Sequence, residues 1–335
     1  MLVIQLTWKQ NAGARQRRTT NCQTVSSAAS CPGARLRTLI RSVNPRTGGA
    51  MSRLAIFVQS FLLLAVVWPS SAQDSVKSTP AEIITRNLDS IAPANVRAAE
   101  KSRVVRGDLQ FHILVGGSGG ANGAWDLVSS GRDVDLVMQF GLGDWRGEQF
   151  TFNGSKVGIA LPTASHHRSV FGEFVASQDF LVKEGLLGGE LSTGWVLQNL
   201  AATGGHLQNR GTKKMDGKEL LAVQYVSKHS TDMQVMLYFD PETGRHVRTM
   251  YTMERRTEGP TGDIRSTPYQ REIRFSMDER FSDFRTEHGM TLPAHYQLQW
   301  SAETQNGSTR LYSWDLTATQ IVHDVPLDPA NFEIK

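Results

Sequence analysis

Cysteine is missing from almost the whole chain. Cys22 and Cys31 are the only two, so nothing after residue 31 can form a disulfide. A fold built from the remaining residues is held by packing and hydrogen bonds, which suits an oxidising compartment without requiring one. Acidic side chains are missing from residues 1–72, which hold nine Lys and Arg and no Asp or Glu. Long apolar runs are missing as well. The one from Leu54 to Val67 is shorter than the ~20 residues a membrane-spanning helix needs, and no Cys follows it to carry a lipid anchor. There is no H-E-x-x-H zinc pattern, and no glycine loop opens a helix to hold phosphate. No βαβ spacing occurs, which argues against a parallel sheet.

The missing acids and the short apolar run belong together. Met51-Ser52-Arg53 is a small positive start, Leu54–Val67 an apolar core, and Ser70-Ser71-Ala72 a set of small residues where a signal peptidase cuts. This is the layout of a secretory signal peptide (51–72) cleaved after Ala72. Residues 1–50 stand upstream of it and have two readings. Either Met51 is the true initiator and 1–50 is a non-native or unstructured leader, or the Arg-rich segment is an organelle presequence. The first is preferred, because a complete export signal needs nothing before it. Taking the nine early cations from the chain's 36 leaves 27 basic against 32 acidic residues, a net charge of −5. The basic character of the full chain therefore resides in the leader, and a nucleic-acid partner loses its support. Residues 73–335 are long enough for one well-buried core and are expected to form a single domain.

Thr79-Pro80-Ala81-Glu82 is a helix start, with a Thr cap, Pro at the first position and Glu closing a capping box. Ile84, Leu88 and Ile91 fall on one face, and Asn95–Lys101 adds a short helical turn. From Leu109 the period becomes two. Strand-like alternation runs through Phe111 and Val115, through Trp125 and Leu127, through Val134–Phe140 and through Glu148–Phe152. Asn153-Gly154 is a strong hairpin signal. After Pro162 the alternation stops. Val170, Phe171, Phe174 and Val175 form a helical apolar stripe, followed by Phe180, Leu181, Val182 and the glycines Gly185, Gly188 and Gly189. A second meander runs from Leu207 to His323. The pattern is mainly β: an antiparallel sheet of about 11 strands, with an N-terminal helix and a helical insert between two meanders.

Few clusters suggest chemistry. Gly116-Gly117-Ser118-Gly119-Gly120 matches the form of a nucleophile elbow, but an alternating strand precedes it and no helix follows. His166 and His167 point to different sides of a helix and make a poor metal pair. Asp133/Asp135 and Asp278/Glu279 read as solvated positions on strands. No catalytic residue, no metal ligand and no cofactor is assigned. The apolar side chains remain. Trp125, Leu127, Val134, Leu136, Met138, Phe140, Phe150, Phe152 and Ile159 read equally as core or as the wall of an apolar cavity, since one short insert has a large sheet face to cover.

The order of these parts resembles the periplasmic outer-membrane lipoprotein carriers and lipoprotein-sorting proteins, the LolA-like and LolB-like family. The resemblance is carried by the helix Ala81–Ile91 before a strand and by Phe150-Thr151-Phe152-Asn153-Gly154-Ser155-Lys156-Val157. It continues in Val235-Met236-Leu237-Tyr238-Phe239-Asp240-Pro241-Glu242-Thr243, in Gly289-Met290-Thr291-Leu292-Pro293, and in Val325-Pro326-Leu327-Asp328-Pro329-Ala330-Asn331-Phe332. It implies an unclosed antiparallel β-barrel, or half-barrel, whose cavity takes acyl chains under a helical lid. On that implication the nine residues named above line the cavity. Val170, Phe171, Phe174, Val175, Phe180 and Leu181 form the lid, and Gly185, Gly188 and Gly189 its hinge. The expected protein is a non-catalytic periplasmic monomer that binds lipid or lipoprotein acyl chains and meets inner- and outer-membrane partners transiently. The alternatives are an RseB-like envelope sensor that binds a membrane protein and, further off, a hydrolase.

Overall fold

The computed structural model describes residues 78–141, 146–160, 168–229, 231–258, 270–304 and 307–333. The expected leader and signal peptide, His166, His167, most of the Thr257–Pro268 loop and Asn306 lie outside the described residues.

Helix α1 (Pro80–Ile91) begins as its sequence dictates. The Thr79 hydroxyl accepts from the Glu82 N–H (3.3 Å), and the Glu82 carboxylate accepts from the Thr79 N–H (2.8 Å). Its buried line is Ile83–Asn87–Ile91, with Ile84 and Leu88 only partly buried beside it. The stripe is thus turned from the expected Ile84–Leu88 face toward a polar residue, Asn87, whose use appears below. A short α2 (Ala94–Ala99) follows.

Among the described residues twelve strands then form one antiparallel sheet, one strand more than the alternation alone suggested. They are β1 (Ser102–Val115), β2 (Gly120–Ser130), β3 (Asp133–Phe140), β4 (Gly147–Phe152), β5 (Val157–Ala160) and, after the insert, β6 (His206–Met215) and β7 (Lys218–Val226). The rest are β8 (Gln234–Phe239), β9 (His246–Glu258), β10 (Gln270–Glu287), β11 (Met290–Thr304) and β12 (Thr309–His323). The order is β5-β4-β3-β2-β1-β12-β11-β10-β9-β8-β7-β6. Each meander is a run of sequential neighbours, and β1 pairs with β12 to join them. Among the described residues the sheet does not close on itself, so the architecture is an unclosed half-barrel.

Strand β1 starts seven residues before the alternation becomes legible. Ser102–Val105 are all buried, because Val105 faces the main core while Val104 packs on Val128 and Phe332 on the other face. A strand covered on both sides loses its period of two. Edge strand β6 carries Arg210, Lys213 and Lys214 and a register break between Asn209 and Thr212, which protect an exposed edge from pairing.

Consecutive strands β5 and β6 stand at opposite edges of the sheet. The chain between them must therefore cross the full width of one face. This crossing strap contains α3 (Val170–Ser177), α4 (Phe180–Lys183), a 3₁₀ turn at Gly189–Leu191 and α5 (Leu200–Thr203). Ser169 caps α3 by accepting from the Gly172 N–H (3.0 Å). Phe171, Phe174, Val175, Phe180, Leu181, Val182, Leu186, Leu187, Leu191, Trp195, Val196 and Leu197 are all buried in one cluster with the inner sheet face. The insert packs into the half-barrel rather than resting on its rim.

Gly185 shows how tightly the strap is wound. It sits at φ +68°, and a Cβ there would lie 1.8 Å from the Gly194 carbonyl oxygen. Gly185→Ala is expected to destabilise the protein by at least about 2 kcal/mol, from left-handed strain plus overpacking. Gly131, at φ +57° with nothing within 4 Å of its Cβ position, provides the control. Gly131→Ala should cost only about 1 kcal/mol. Equal urea-denaturation midpoints for the two variants would show that the strap is not packed at this point.

Candidate functional site

Four buried carboxylates hold the strap to the half-barrel. Two come from the inner sheet face. Glu148 on β4 accepts the Ser169 N–H at the start of α3 (2.8 Å). Glu279 on β10 accepts the Gly188 N–H (2.8 Å) together with the hydroxyls of Tyr296 and Tyr251 (2.5 Å each). The other two come from the strap. Glu184 accepts from the Tyr225 hydroxyl (2.6 Å) and the Ser227 hydroxyl (2.7 Å), and Glu190 from the Asn87 amide of α1 (3.3 Å). Asn87 also accepts from the Trp195 indole N–H (3.2 Å) and donates to the Gly244 carbonyl (3.3 Å). One buried amide thus ties α1, the strap and the β8–β9 turn.

Burial dominates the electrostatics. It pushes the Glu279 carboxyl up to about 7 against the opposing hydrogen bonds from Tyr251 and Tyr296. It pushes Glu190 up to about 8 and Asp135, which is bonded to Gln149, up to about 7. The Tyr251 and Tyr296 hydroxyls are raised by burial and then by the adjacent Glu279 charge. Burial also pulls His246 down to about 3, so this ring, packed between Trp195, Phe239 and Phe281, stays neutral. The expected solvated character of the acidic pairs needs correcting for two members. Glu279 is fully buried and Asp135 nearly so, while Asp278 is paired with Arg248 and Arg280. A signal for Glu279 was present: it lies in phase with the inward residues Met277 and Phe281. Glu148 likewise lies in phase with Phe150 and Phe152.

The structure brings the sequence-selected residues together. Trp125, Leu127, Val134, Leu136, Met138, Phe140, Phe150 and Phe152 are buried in the main cluster, and Ile159 is partly buried against it. Their facing partners are the strap side chains: Phe171 meets Phe150 edge-on (5.5 Å between centroids) and Trp314 obliquely (4.8 Å). Gly185, Gly188 and Gly189 all have positive φ. A Cβ on Gly189 would meet the Phe281 ring at 2.8 Å, so these glycines also allow close approach to the sheet.

Open space lies at one end of the inner face. Along the sheet, Tyr251, Met277, Trp300, Tyr312 and Ile113 are successive cross-strand partners in one row. The next row outward is Met253, Phe275, Ala302 and Arg310, and Arg255 pairs with Ile273 beyond it. Helix α3 covers the first of these rows and, through Phe174, reaches only Phe275 in the second. Phe174 packs against Trp300 (6.0 Å) and Phe275 (5.7 Å), and what remains is an apolar cleft of about 530 Å³. Val170, Phe174, Met253, Ile273, Phe275, Trp300 and Ala302 line it, with Glu173, Ser177, Arg255, Ser308 and Arg310 at its polar margin. A second recess of about 450 Å³ shares Ser177, Met253 and Arg255 with it and is lined mainly by polar residues, including Asp179, Lys183 and His229. Of the cleft's lining, the sequence singled out Val170 and Phe174, as parts of the lid, and none of the sheet residues at this end. The cleft forms where strands outrun the strap, a matter of relative lengths that no single motif reports.

The chemistry-bearing motifs resolve into turns and packing. Gly116–Gly119 is the tip of the β1–β2 hairpin, so Ser118 stands between two strands without an elbow helix. Asn153 closes its hairpin by accepting from the Ser155 and Lys156 N–H groups (3.2 and 2.8 Å). Among the described residues no three His, Cys, Asp or Glu side chains gather to hold a metal ion, and no helix is long and apolar enough to cross a membrane.

No family model and no curated protein matches the chain. Solved structures similar to it include a LolA superfamily protein from Nitrosomonas europaea, 13% identical with a TM-score of 0.42, the match covering 77% of this chain and 98% of that one. A putative outer membrane lipoprotein-sorting protein domain from Vibrio parahaemolyticus is 8% identical with a TM-score of 0.36, covering 74% and 97%. The MucA/MucB complex of Pseudomonas aeruginosa matches at 10% identity and a TM-score of 0.19, covering 72% and 99%.

The buried carboxylates make stability depend on pH in a stated direction. Glu279 binds its proton up to about pH 7 in the folded protein and only up to about 4.5 when unfolded. Between those values the folded state holds more protons, so stability falls as pH rises, by at most about 1.4 kcal/mol per unit for each such group. Asp135 and Glu190 act in the same sense. Urea midpoints recorded from pH 5 to 7 should fall with pH, and Glu279→Gln should reduce that slope. An unchanged slope would show that Glu279 is ionised throughout.

Proposed function

We propose that this chain is an exported, non-catalytic binding protein of the LolA-like kind, which seats the acyl chain of a lipid or lipoprotein in the cleft beside α3. The cleft carries the proposal. It is apolar at its floor, polar at its margin, open at one end of a half-barrel, and of a volume typical of small-molecule sites. Each methylene buried there contributes about 0.8 kcal/mol, so a partial tail suffices for useful affinity. The ordered motifs from Ala81 to Phe332 support the same family, and the layout of two meanders with a helical insert between them is what that family implies.

In this reading α3 is the moving part. Its start is fixed to the sheet by the Ser169–Glu148 hydrogen bond and by Arg168 reaching the Ile159 carbonyl (3.1 Å). The Gly185–Gly189 stretch is held by Glu279 and by close backbone approach, so it serves as the fixed end about which the lid swings. Deeper entry toward Trp125, Met138 and Phe150 requires the strap to yield, which makes those residues the wall of an opened state. Export by the Met51–Ala72 signal places the protein in the periplasm, with no cofactor.

Two measurements test this. Ala302→Trp fills the cleft from a partly buried position. It should weaken binding of a fluorescent fatty acid by about tenfold, the loss of two buried methylenes, with the melting temperature unchanged. Undiminished binding would move the site elsewhere, and no binding by the parent protein would end the proposal. Expressed with its leader in a Gram-negative host, the protein should be recovered beginning at Gln73. A product that retains Leu54–Val67 would contradict the export reading.

A further inference from the structure

We infer that the cleft selects an anionic amphiphile, with Arg255 and Arg310 as the residues that read the charge. The inference rests on the acyl-binding proposal above. Inward-facing positions on β9 run Tyr251, Met253, Arg255, and on β12 they run Trp314, Tyr312, Arg310. On both strands the apolar sequence of the inner face ends in arginine at the same end of the sheet. Both arginines are exposed, both line the cleft, and neither has an ion-pair partner among the described residues.

Two of the neighbouring carboxylates are engaged by other cations, while Asp232 in the adjoining recess has no ion pair among the described residues. Glu254 is held by Arg274 (2.7 Å), and Asp179 in the adjoining recess by Lys183 (2.6 Å). Glu173, the one carboxylate lining the cleft among the described residues, lies 4.0 Å from Arg168. Two uncommitted cations above an apolar floor complement a ligand with one tail and one negative head. Guanidinium groups suit carboxylate and phosphate oxygens alike, since both accept paired N–H donors. A cationic or uncharged head gains nothing there.

Titrations of the purified protein with dodecanoate, dodecyl phosphate and dodecanol, followed by tryptophan fluorescence below micelle-forming concentrations, test the selection. Both anions should bind about fivefold more tightly than the alcohol, the scale of an exposed ion pair, and the gap should shrink with added salt. The two anions distinguish the source: a phosphate preference indicates a lipid headgroup, a carboxylate preference a free fatty acid. In the Arg255→Gln, Arg310→Gln double variant the anions should fall to the affinity of dodecanol, with dodecanol itself unchanged. Equal binding of all three ligands by the parent protein overturns the charge selection alone, as does an anion preference that survives in the double variant. Binding of none of them overturns the acyl-binding proposal and this inference with it.

Discussion

One constraint organises this molecule: a chain that leaves one edge of an open sheet must re-enter at the opposite edge. With β5 and β6 at the two ends of a twelve-strand order, the connecting strap has to run over the inner face. Irregular backbone on an apolar surface carries N–H groups that water cannot reach, and each costs free energy unless paired. The sheet supplies partners at fixed points. Glu148 takes the N–H that opens α3, and Glu279 takes that of Gly188 in the tight turn. The strap returns the arrangement through Glu184 and Glu190, which reach Tyr225, Ser227 and Asn87. Burying four carboxylates is expensive, and it is tolerated because each accepts a hydrogen bond that would otherwise be missing.

The same constraint explains the cleft. An eight-residue helix such as α3 extends about 12 Å. The eighteen residues of β10 extend about 60 Å, and the four of β5 about 14 Å. A strap anchored at the short edge covers the middle of the face and cannot follow β9–β12 to their ends. Phe174 fills what it can, against Trp300 and Phe275. Beyond it the inner face continues with Ile273 and Ala302, with no helix above them among the described residues. The open end is the geometric remainder of unequal strand lengths, and the arginines mark where the apolar surface stops.

Much of this was legible in the sequence. The period of two gave nearly every strand, the turns gave the meanders, and the stripe from Val170 to Val175 gave the first helix of the strap that crosses them. The ends of the strands were less legible, because β1 at Ser102–Val105 is buried on both faces and shows no alternation. The polar core was not read at all. A buried glutamate and a surface glutamate are the same letter, and the contacts that tie Glu190 to α1 and Glu279 to the strap span 103 and 91 residues. What distinguishes Glu279 locally is its phase, with Phe275, Met277 and Phe281 on the inward side of β10. A carboxylate in the apolar phase of a strand is a sequence signal for a buried tether, and Glu148 carries it too.

The placement of these tethers bears on which part of the inner face is available to a ligand. Opening the strap at its centre would separate Glu279 from Gly188 and Glu184 from Tyr225, leaving buried acceptors and donors unpaired at once, each at a cost of about 1–3 kcal/mol. Lifting α3 breaks one such link, Ser169 to Glu148, and exposes Phe171 and Phe174. An acyl chain of the proposed kind would replace those two aromatic contacts with its own apolar surface, but it offers nothing to an orphaned carboxylate. On the proposed function, the ligand path that costs least therefore starts at the cleft and proceeds under α3, and it stops where the polar tethers begin.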